Sequence, residues 1–184
     1  MLFSETPLPG AYLIDLQKRE DERGFFARSW CAREAAALGL DPHVVQCNIS
    51  FNKTKGTLRG LHLQLPPFAE SKLVRATRGA IYDVILDLRP ASPTFRQWFG
   101  VELTADNRRA LFVPKGFAHG FQTLEDNTEI FYQMSEFYAP DYARGIRWDD
   151  PAFNIRWPLE VAEISPKDRA LPDFSPAEFV ALAT

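Results

Sequence analysis

Short apolar runs, separated by Gly, Pro, Asn and Asp, recur along the chain and predict strands. They follow one another at intervals of roughly 8–15 residues, a spacing typical of β-sandwiches and barrels. Many are rich in Val, Ile, Phe and Tyr, which favour strands. The runs are Ala11–Leu16, Lys72–Thr77, Ala80–Leu88, Phe99–Leu103, Ala110–Val113, Phe117–Leu124 and Glu129–Phe137. The pattern predicts an all-β fold with a closed or double-layered sheet, whose interior is able to hold a ligand.

Three segments depart from the strand pattern. The Ala-rich segment Cys31–Gly39 ends in a glycine, and Asp-Pro follows shortly after it, which predicts a short helix. Pro140–Tyr142 predicts a turn or the start of a short helix, and Ser165–Asp173, with its two prolines, predicts irregular structure. Because no internal repeat, low-complexity tract or linker interrupts the sequence, residues 1–184 are expected to form a single domain.

Composition and charge exclude several function classes. Hydrophobic residues make up 46% of the chain, charged residues 24%, and the net charge is −3, which gives no bulk attraction to nucleic acid or anionic membranes. No apolar stretch approaches the ~20 residues of a membrane span, and no secretory signal pattern is visible. Cys31 and Cys47 are too few for a disulfide framework or a zinc site. We therefore expect a cytoplasmic protein with reduced thiols and neither a nucleic-acid nor a membrane partner.

His62 lies in the strand-like segment Gly56–Gln64. Strand periodicity places His62 and Gln64 on one face and Arg59 on the other, unless a bulge at Gly60 re-aims Arg59. A hydrogen-bonded structural histidine is the alternative interpretation of His62.

The second histidine of interest, His119, lies in Pro114–Phe121 beside Gly120, and glycines at such a position indicate close backbone approach. The segments around His62 and His119 have the outline of the two cupin motifs. A metal-binding cupin presents His-x-His in the first motif, whereas this chain has Gln64, a poorer ligand for transition metals. Glu70 could add a ligand, but the set is deficient, and we expect no metal.

Seven motifs in order over nearly the whole chain are similar to those of the dTDP-4-dehydrorhamnose 3,5-epimerases. They are Asp21–Phe26, Gln46–Asn48, Gly56–Gln64, Gly79–Val84, Pro114–Phe121, Ile146–Pro151 and Ser165–Asp168. The resemblance implies a cupin-type β-jelly-roll with a few short helices, a homodimer and a nucleotide-sugar substrate. It also implies epimerisation beside a ketone without a metal or other cofactor.

The resemblance also implies catalytic roles. Such chemistry needs a base on one face of the sugar, an acid on the other and a group that holds the enolate. His62 matches the family base, for which a neutral imidazole is suited. Asp168 matches the carboxylate that orients this histidine and stabilises its protonated form. Tyr132 matches the proton donor for the opposite face, and Lys72 matches the cation beside the developing oxyanion.

Substrate-binding positions follow from the same resemblance. Arginine binds phosphate oxygens with a planar, bidentate fork. The matching residues are Arg23, Gln46, Asn48, Arg59, His119 and Lys167, with Tyr138 as a platform for the base or the sugar. Arg23 would approach the cavity of the partner subunit. Arg28, in the same nucleotide-side region, and Cys47 stand where the family usually carries acidic residues.

Three rival functions remain open at this point. A monofunctional 3- or 5-epimerase on a related nucleotide sugar would use the same residues. A metal-dependent cupin enzyme is disfavoured by Gln64, and a non-catalytic sugar-binding module is disfavoured by the joint presence of His62, Tyr132 and Asp168, since binding alone needs no opposed acid and base.

Overall fold

The computed structural model describes residues 1–183 and contains fourteen strands, two short α-helices and a terminal 3-10 helix within that range. The strands are β1 (Leu2–Glu5), β2 (Tyr12–Asp15), β3 (Arg19–Asp21), β4 (Gly24–Phe26), β5 (Gln46–Asn52), β6 (Thr57–Gln64), β7 (Lys72–Arg78), β8 (Ala80–Asp87), β9 (Trp98–Thr104), β10 (Ala110–Val113), β11 (Phe117–Thr123), β12 (Thr128–Met134), β13 (Ala143–Gly145) and β14 (Glu163–Ile164). The helices are α1 (Ala32–Ala37), α2 (Pro166–Arg169) and the 3-10 helix Pro176–Ala183. The predicted all-β class is confirmed.

The strands form two six-stranded sheets. The first sheet has the order β1-β2-β10-β7-β12-β5, and the second has the order β13-β6-β11-β8-β9, with β14 beside β6. All neighbours are antiparallel except β14 and β6, which run parallel. β3 and β4 form a separate hairpin. The result is the double-layered arrangement that the strand spacing predicts.

The core has three apolar layers. The central layer packs side chains of both sheets against each other, among them Val74, Ile81, Leu111 and Ile130. A second layer fills the space between the outer face of the second sheet and the C-terminal third of the chain. A third layer lies under α1, on the outer face of the first sheet. A cavity between the two sheets is therefore restricted to the region where polar residues take the place of the central apolar layer.

The helical predictions have mixed outcomes. The helix expected within Cys31–Gly39 forms as α1, and Pro140–Tyr142 forms a turn. The prediction of irregular structure over Ser165–Asp173 is wrong for Pro166–Arg169, which forms α2. The Ser165 hydroxyl caps this helix by accepting a hydrogen bond from the Asp168 backbone N–H at 3.0 Å, and proline at the first helical position favours the turn. None of the described helices is long and apolar enough to span a bilayer.

Candidate active site

A polar cavity with two adjoining compartments lies between the sheets. The first compartment has a volume of about 360 Å³ and the second about 320 Å³. Four residues line both compartments and so mark their junction: His62, Lys72, Tyr132 and Asp168. These are the four residues that the sequence predicts as catalytic, and the fold brings all of them together.

His62 and Tyr132 come from opposite walls of the cavity. His62 lies on β6 of the second sheet, whereas Tyr132 lies on β12 of the first sheet. Each side chain points toward the interior because it alternates with outward residues along its strand. A substrate bound at the junction would have an imidazole on one side and a phenol on the other.

A β-bulge in β6 brings Arg59 to the same side as His62. In the pairing with β11, His62 lies opposite His119 and Arg59 lies opposite Phe121, so three residue steps on β6 match two on β11. Arg59 consequently lines the second compartment. Gly60 at the bulge has a φ of +120°, and a Cβ there would lie 2.5 Å from the Cα of Gly120. The bulge that the sequence leaves open as an exception is therefore present and re-aims Arg59, and the predicted close backbone approach at Gly120 is confirmed.

Asp168 reaches His62 from a different part of the chain. β14 runs parallel to the start of β6, so that α2, which follows β14, lies beside the bulge. The Oδ1 atom of Asp168 lies 2.8 Å from Nε2 of His62, and the Gly60 N–H donates to Oδ2 at 3.4 Å. Burial acts to raise the pKa of Asp168, but the hydrogen bonds from His62 and Gly60 outweigh it and hold the pKa below its usual value. The carboxylate therefore stays ionised and orients the imidazole.

Tyr132 is held in the protonated form that a proton donor requires. Burial raises the pKa of its phenol, and the nearby positive charge of Arg59 opposes that rise. Arg59 is itself fixed, since its Nε donates to the Oδ1 atom of Asn52 at 2.7 Å. The phenol is therefore neutral near pH 7 and has a cation close by.

Lys72 is a buried cavity residue. Its Nζ lies 3.0 Å from the Glu70 carboxylate and donates to the His62 carbonyl oxygen at 3.2 Å. Since an ammonium group has three donors, one remains for a ligand. Glu70, which the sequence interpretation considered only as a metal ligand, is instead the counter-ion of Lys72. The Glu-x-Lys spacing at the start of β7 was the available signal.

His119 forms a second histidine–carboxylate pair. Its Nε2 lies 2.7 Å from Oδ1 of the fully buried Asp83. His119 and Arg59 line the second compartment together with Ser50. Ser50 carries no sequence signal that would have identified it.

The remaining polar predictions divide into two groups. Gln46, Asn48, Tyr138 and Lys167 line the first compartment. Cys47 does not line this compartment. It alternates with Gln46 and Asn48 along β5, so its side chain is exposed on the outer face of the sheet. Arg144, on β13 beside His62, also lines this compartment and was missed by the sequence interpretation.

Arg23 and Arg28 do not line the cavity of their own chain. Arg23 lies in the β3–β4 turn, pairs with Asp21 at 2.7 Å and has a side chain that is 89% exposed. Arg28 pairs with Glu34 at 2.7 Å near the N-terminus. Neither side chain contributes to the cavity of its own chain, because the hairpin and the segment after it lie outside the two sheets. The expected approach of Arg23 to the partner's cavity stays a prediction.

The polar groups of the cavity do not fit a divalent cation. The Gln64 amide is fully used by backbone groups, and Glu70 is paired with Lys72. His62 and His119 each hold a different carboxylate. Among the described residues, no three His, Cys, Asp or Glu side chains cluster in a way that could hold a metal ion.

We predict that activity survives exhaustive dialysis against EDTA, because the histidine and carboxylate side chains of the cavity are paired with other protein groups and, within residues 1–183, form no cluster that could hold a metal ion. Turnover before and after dialysis, with metal content measured on the same samples, checks this. Loss of activity that is restored by zinc, iron or manganese would instead establish a metal-dependent reaction.

Comparisons with a family model and with individual relatives point to the same family. The family model described as dTDP-4-dehydrorhamnose 3,5-epimerase matches residues 5–176. The chain is 44% identical over 165 residues to a dTDP-4-dehydrorhamnose 3,5-epimerase of Shigella flexneri, covering 89% of this chain and 91% of the relative.

Solved structures agree in fold over nearly the full length. The Bacillus anthracis dTDP-4-dehydrorhamnose 3,5-epimerase, solved with TDP and PPi bound, is 45% identical with a TM-score of 0.89, covering 94% of this chain and 99% of that one. A Legionella pneumophila dTDP-6-deoxy-D-glucose-3,5-epimerase in complex with dTDP-4-keto-L-rhamnose is 39% identical, with a TM-score of 0.87 and coverages of 94% and 92%. The cupin-type jelly-roll implied by the sequence is thereby confirmed.

Proposed function

This chain belongs to the dTDP-4-dehydrorhamnose 3,5-epimerase family, and on that premise we propose how it works as an isomerase that epimerises a dTDP-linked 4-keto-6-deoxyhexose. The observation that carries the mechanism is the placement of His62 and Tyr132 on opposite walls at the junction of the two compartments. Inversion of a carbon beside a ketone requires proton removal from one face and proton return to the other. A cavity with one titratable group on each side meets this requirement.

His62 abstracts the proton. Its Nε2 is held by Asp168, so the other ring nitrogen is the acceptor, and the ionised carboxylate stabilises the imidazolium that forms. Charge then develops on the ketone oxygen, where the unused donor of Lys72 stabilises it. Tyr132 returns a proton to the opposite face. Arg59 and His119 bind the polar edge of the sugar in the second compartment.

The first compartment takes the nucleotide. Gln46, Asn48 and Lys167 supply donors and positive charge for the diphosphate and base. Tyr138, which is 54% exposed at the cavity mouth, offers a ring face on which the base stacks.

The free thiols of Cys31 and Cys47 fit a reducing compartment, and we infer a cytoplasmic role in deoxysugar biosynthesis.

Product analysis tests this function. Purified protein is incubated with dTDP-4-keto-6-deoxyglucose, and the products are assigned by NMR. We expect conversion to the L-rhamno configuration, with both C-3 and C-5 inverted. Inversion of a single carbon would identify a monofunctional epimerase, and absence of any conversion or exchange would refute the proposed activity.

A homodimer is the second part of the proposal. The β3–β4 hairpin is exposed at every position, and a lone two-stranded hairpin is at best marginally stable in water. Edge strand β5 presents Ile49 and Phe51 to solvent, at 65% and 45% exposure. Strand β2 is not available as an intersubunit edge, because it pairs with β1 and β10 of its own chain. These surfaces support a dimer in which β5 is covered and the hairpin reaches the partner.

We predict a dimer at micromolar concentration in sedimentation experiments. Ile49→Lys should shift the population toward monomer by placing a charge in the interface. Val180→Lys is the matched control, since Val180 is 63% exposed and lies on the terminal 3-10 helix. A wild-type monomer at these concentrations would contradict the proposal.

Mixed dimers test whether Arg23 acts in the partner's cavity. An Arg23→Ala chain and a His62→Ala chain, each impaired alone, are co-expressed with different affinity tags. A site that combines intact His62 with the partner subunit's Arg23 is complete, so the heterodimer should regain about half of the wild-type activity of its two sites. No recovery in the heterodimer would exclude a role for Arg23 across the interface.

A further inference from the structure

Gln64 has a polar side chain whose hydrogen bonds all go to the backbone of two loops. It lies on β6 two residues after His62 and is 3% exposed. Its Nε2 donates to the carbonyl oxygens of Phe68 at 2.8 Å and Phe137 at 3.1 Å. Its Oε1 accepts from the backbone N–H of Ala139 at 2.6 Å. The Phe137 carbonyl and the Ala139 N–H belong to the two peptide bonds on either side of Tyr138. The Gln64 amide therefore holds the backbone on both sides of this residue.

We propose that Gln64 is a positioning residue that fixes Tyr138 at the mouth of the first compartment for stacking on the nucleotide base. β12 ends at Met134, so Tyr138 is carried by the connection to β13 rather than by a sheet. With the backbone held on both sides, only side-chain rotation of Tyr138 has to be restricted when the ligand binds. Such preorganisation lowers the cost of binding. This inference rests on the proposed nucleotide site.

The hydrogen bonds from the Gln64 side chain to Phe68, Phe137 and Ala139, called the Gln64 clamp below, also connect the segment around Tyr138 with the catalytic residues. The backbone N–H of Gln64 donates to Oε2 of Glu70 at 3.0 Å, and the other Glu70 oxygen pairs with Lys72. One strand therefore carries the base His62 and, two residues later, the amide that fixes the platform. A single strand therefore sets the spacing between His62 and the amide that fixes Tyr138.

The chemistry of the clamp explains why this position is glutamine. Two carbonyl oxygens need two donors and one N–H needs an acceptor, and a primary amide supplies all three. A neutral imidazole has only one donor and one acceptor, so a second histidine at this position would leave a buried carbonyl unpaired. Gln64 thus has a positive role here beyond the absence of a metal ligand.

A double-mutant cycle between Gln64 and Tyr138 tests the proposal. Gln64→Met, Tyr138→Ala and the double variant are compared for dTDP affinity by calorimetry and for KM and kcat with the nucleotide sugar. We expect each single variant to weaken dTDP binding and raise KM about tenfold, as for loss of one base–aromatic stack, with a much smaller change in kcat. We expect the double variant to bind no more weakly than Tyr138→Ala alone.

Gln122→Met is the matched control. Gln122 is also buried, and its amide donates to the carbonyl oxygens of Leu159 and Glu160 and accepts from the Leu159 N–H, so it clamps a segment away from Tyr138. It should lower stability as Gln64→Met does, while its effect on dTDP affinity should be small and additive with that of Tyr138→Ala. If Gln64→Met does not fold, Gln64→Glu replaces it in the cycle, because it keeps the acceptor and loses both donors.

The outcomes separate this inference from the proposed function. Additive effects of Gln64 and Tyr138 substitutions, or a Gln64→Met effect confined to kcat, would overturn the positioning role alone. Unchanged dTDP affinity in Tyr138→Ala would overturn the stacking platform and the positioning role with it. Failure of the wild-type protein to bind dTDP would refute the proposed nucleotide site itself.

Discussion

Replacement of His62 by alanine lowers kcat by roughly 10²–10⁴-fold in a folded protein, the range expected when a general base is removed. His62 lies at the cavity junction with a side chain that is 44% exposed, so its loss leaves no closed void in the apolar core. Asp168 keeps the Gly60 N–H as a partner, and water can reach the vacated space. Initial rates, circular dichroism and thermal unfolding measure the two effects separately.

His43→Ala is the control for this substitution. His43 also pairs with an aspartate, through its Nδ1 atom to Asp41 at 2.8 Å, but its side chain is 75% exposed and lies outside the cavity. The same change of side chain should leave turnover close to the wild-type value. Normal turnover in His62→Ala would remove His62 from the mechanism.

Replacement of Tyr132 by phenylalanine should affect deuterium exchange and inversion of the carbon beside the ketone to different extents. His62 still removes a proton and can return a deuteron to the same face, so that deuterium from D₂O continues to enter the carbon beside the ketone. Inversion should fall much further than exchange, by roughly 10²–10⁴-fold, because no acid remains on the opposite wall. NMR of one sample in D₂O follows both processes.

Tyr82→Phe provides the matched loss of a hydroxyl. Tyr82 is partly buried on β8, and burial raises the pKa of its phenol as it does for Tyr132, but Tyr82 packs against the C-terminal layer of the core. Exchange and inversion should both be retained in this variant. Equal losses of exchange and inversion in folded Tyr132→Phe would show that Tyr132 positions the substrate or stabilises the enolate instead of acting as the opposite-face acid.

Periodicity predicted most of the sheet because each apolar run is long enough to define a buried face. It also placed His62 and Gln64 on one face and named the bulge at Gly60 as the condition under which Arg59 would join them. The short helix α2 was missed although Ser-Pro-x-Asp is a helix-start signal. Two nearby prolines outweighed that signal in the interpretation.

Long-range contacts explain what the sequence did not predict. Asp168 could be linked to His62 only through family resemblance, because the contact depends on the parallel pairing of β14 with β6 across 106 residues of chain. The clamp by Gln64 requires two loops to meet at one side chain, which no local pattern encodes. Arg23 matched a motif position, yet a motif does not specify whether a residue serves its own chain's cavity.

The central claim is that a proton leaves one face of the sugar to His62 and a different proton arrives on the other face from Tyr132. A single turnover in D₂O, with enzyme in excess over dTDP-4-keto-6-deoxyglucose, tests it most directly through the isotope at each inverted carbon. The account predicts one deuterium at every inverted carbon, because the phenol of Tyr132 has already exchanged with solvent. Inverted product that retains the original hydrogen would contradict it, since a single group would then have carried the same proton from one face to the other.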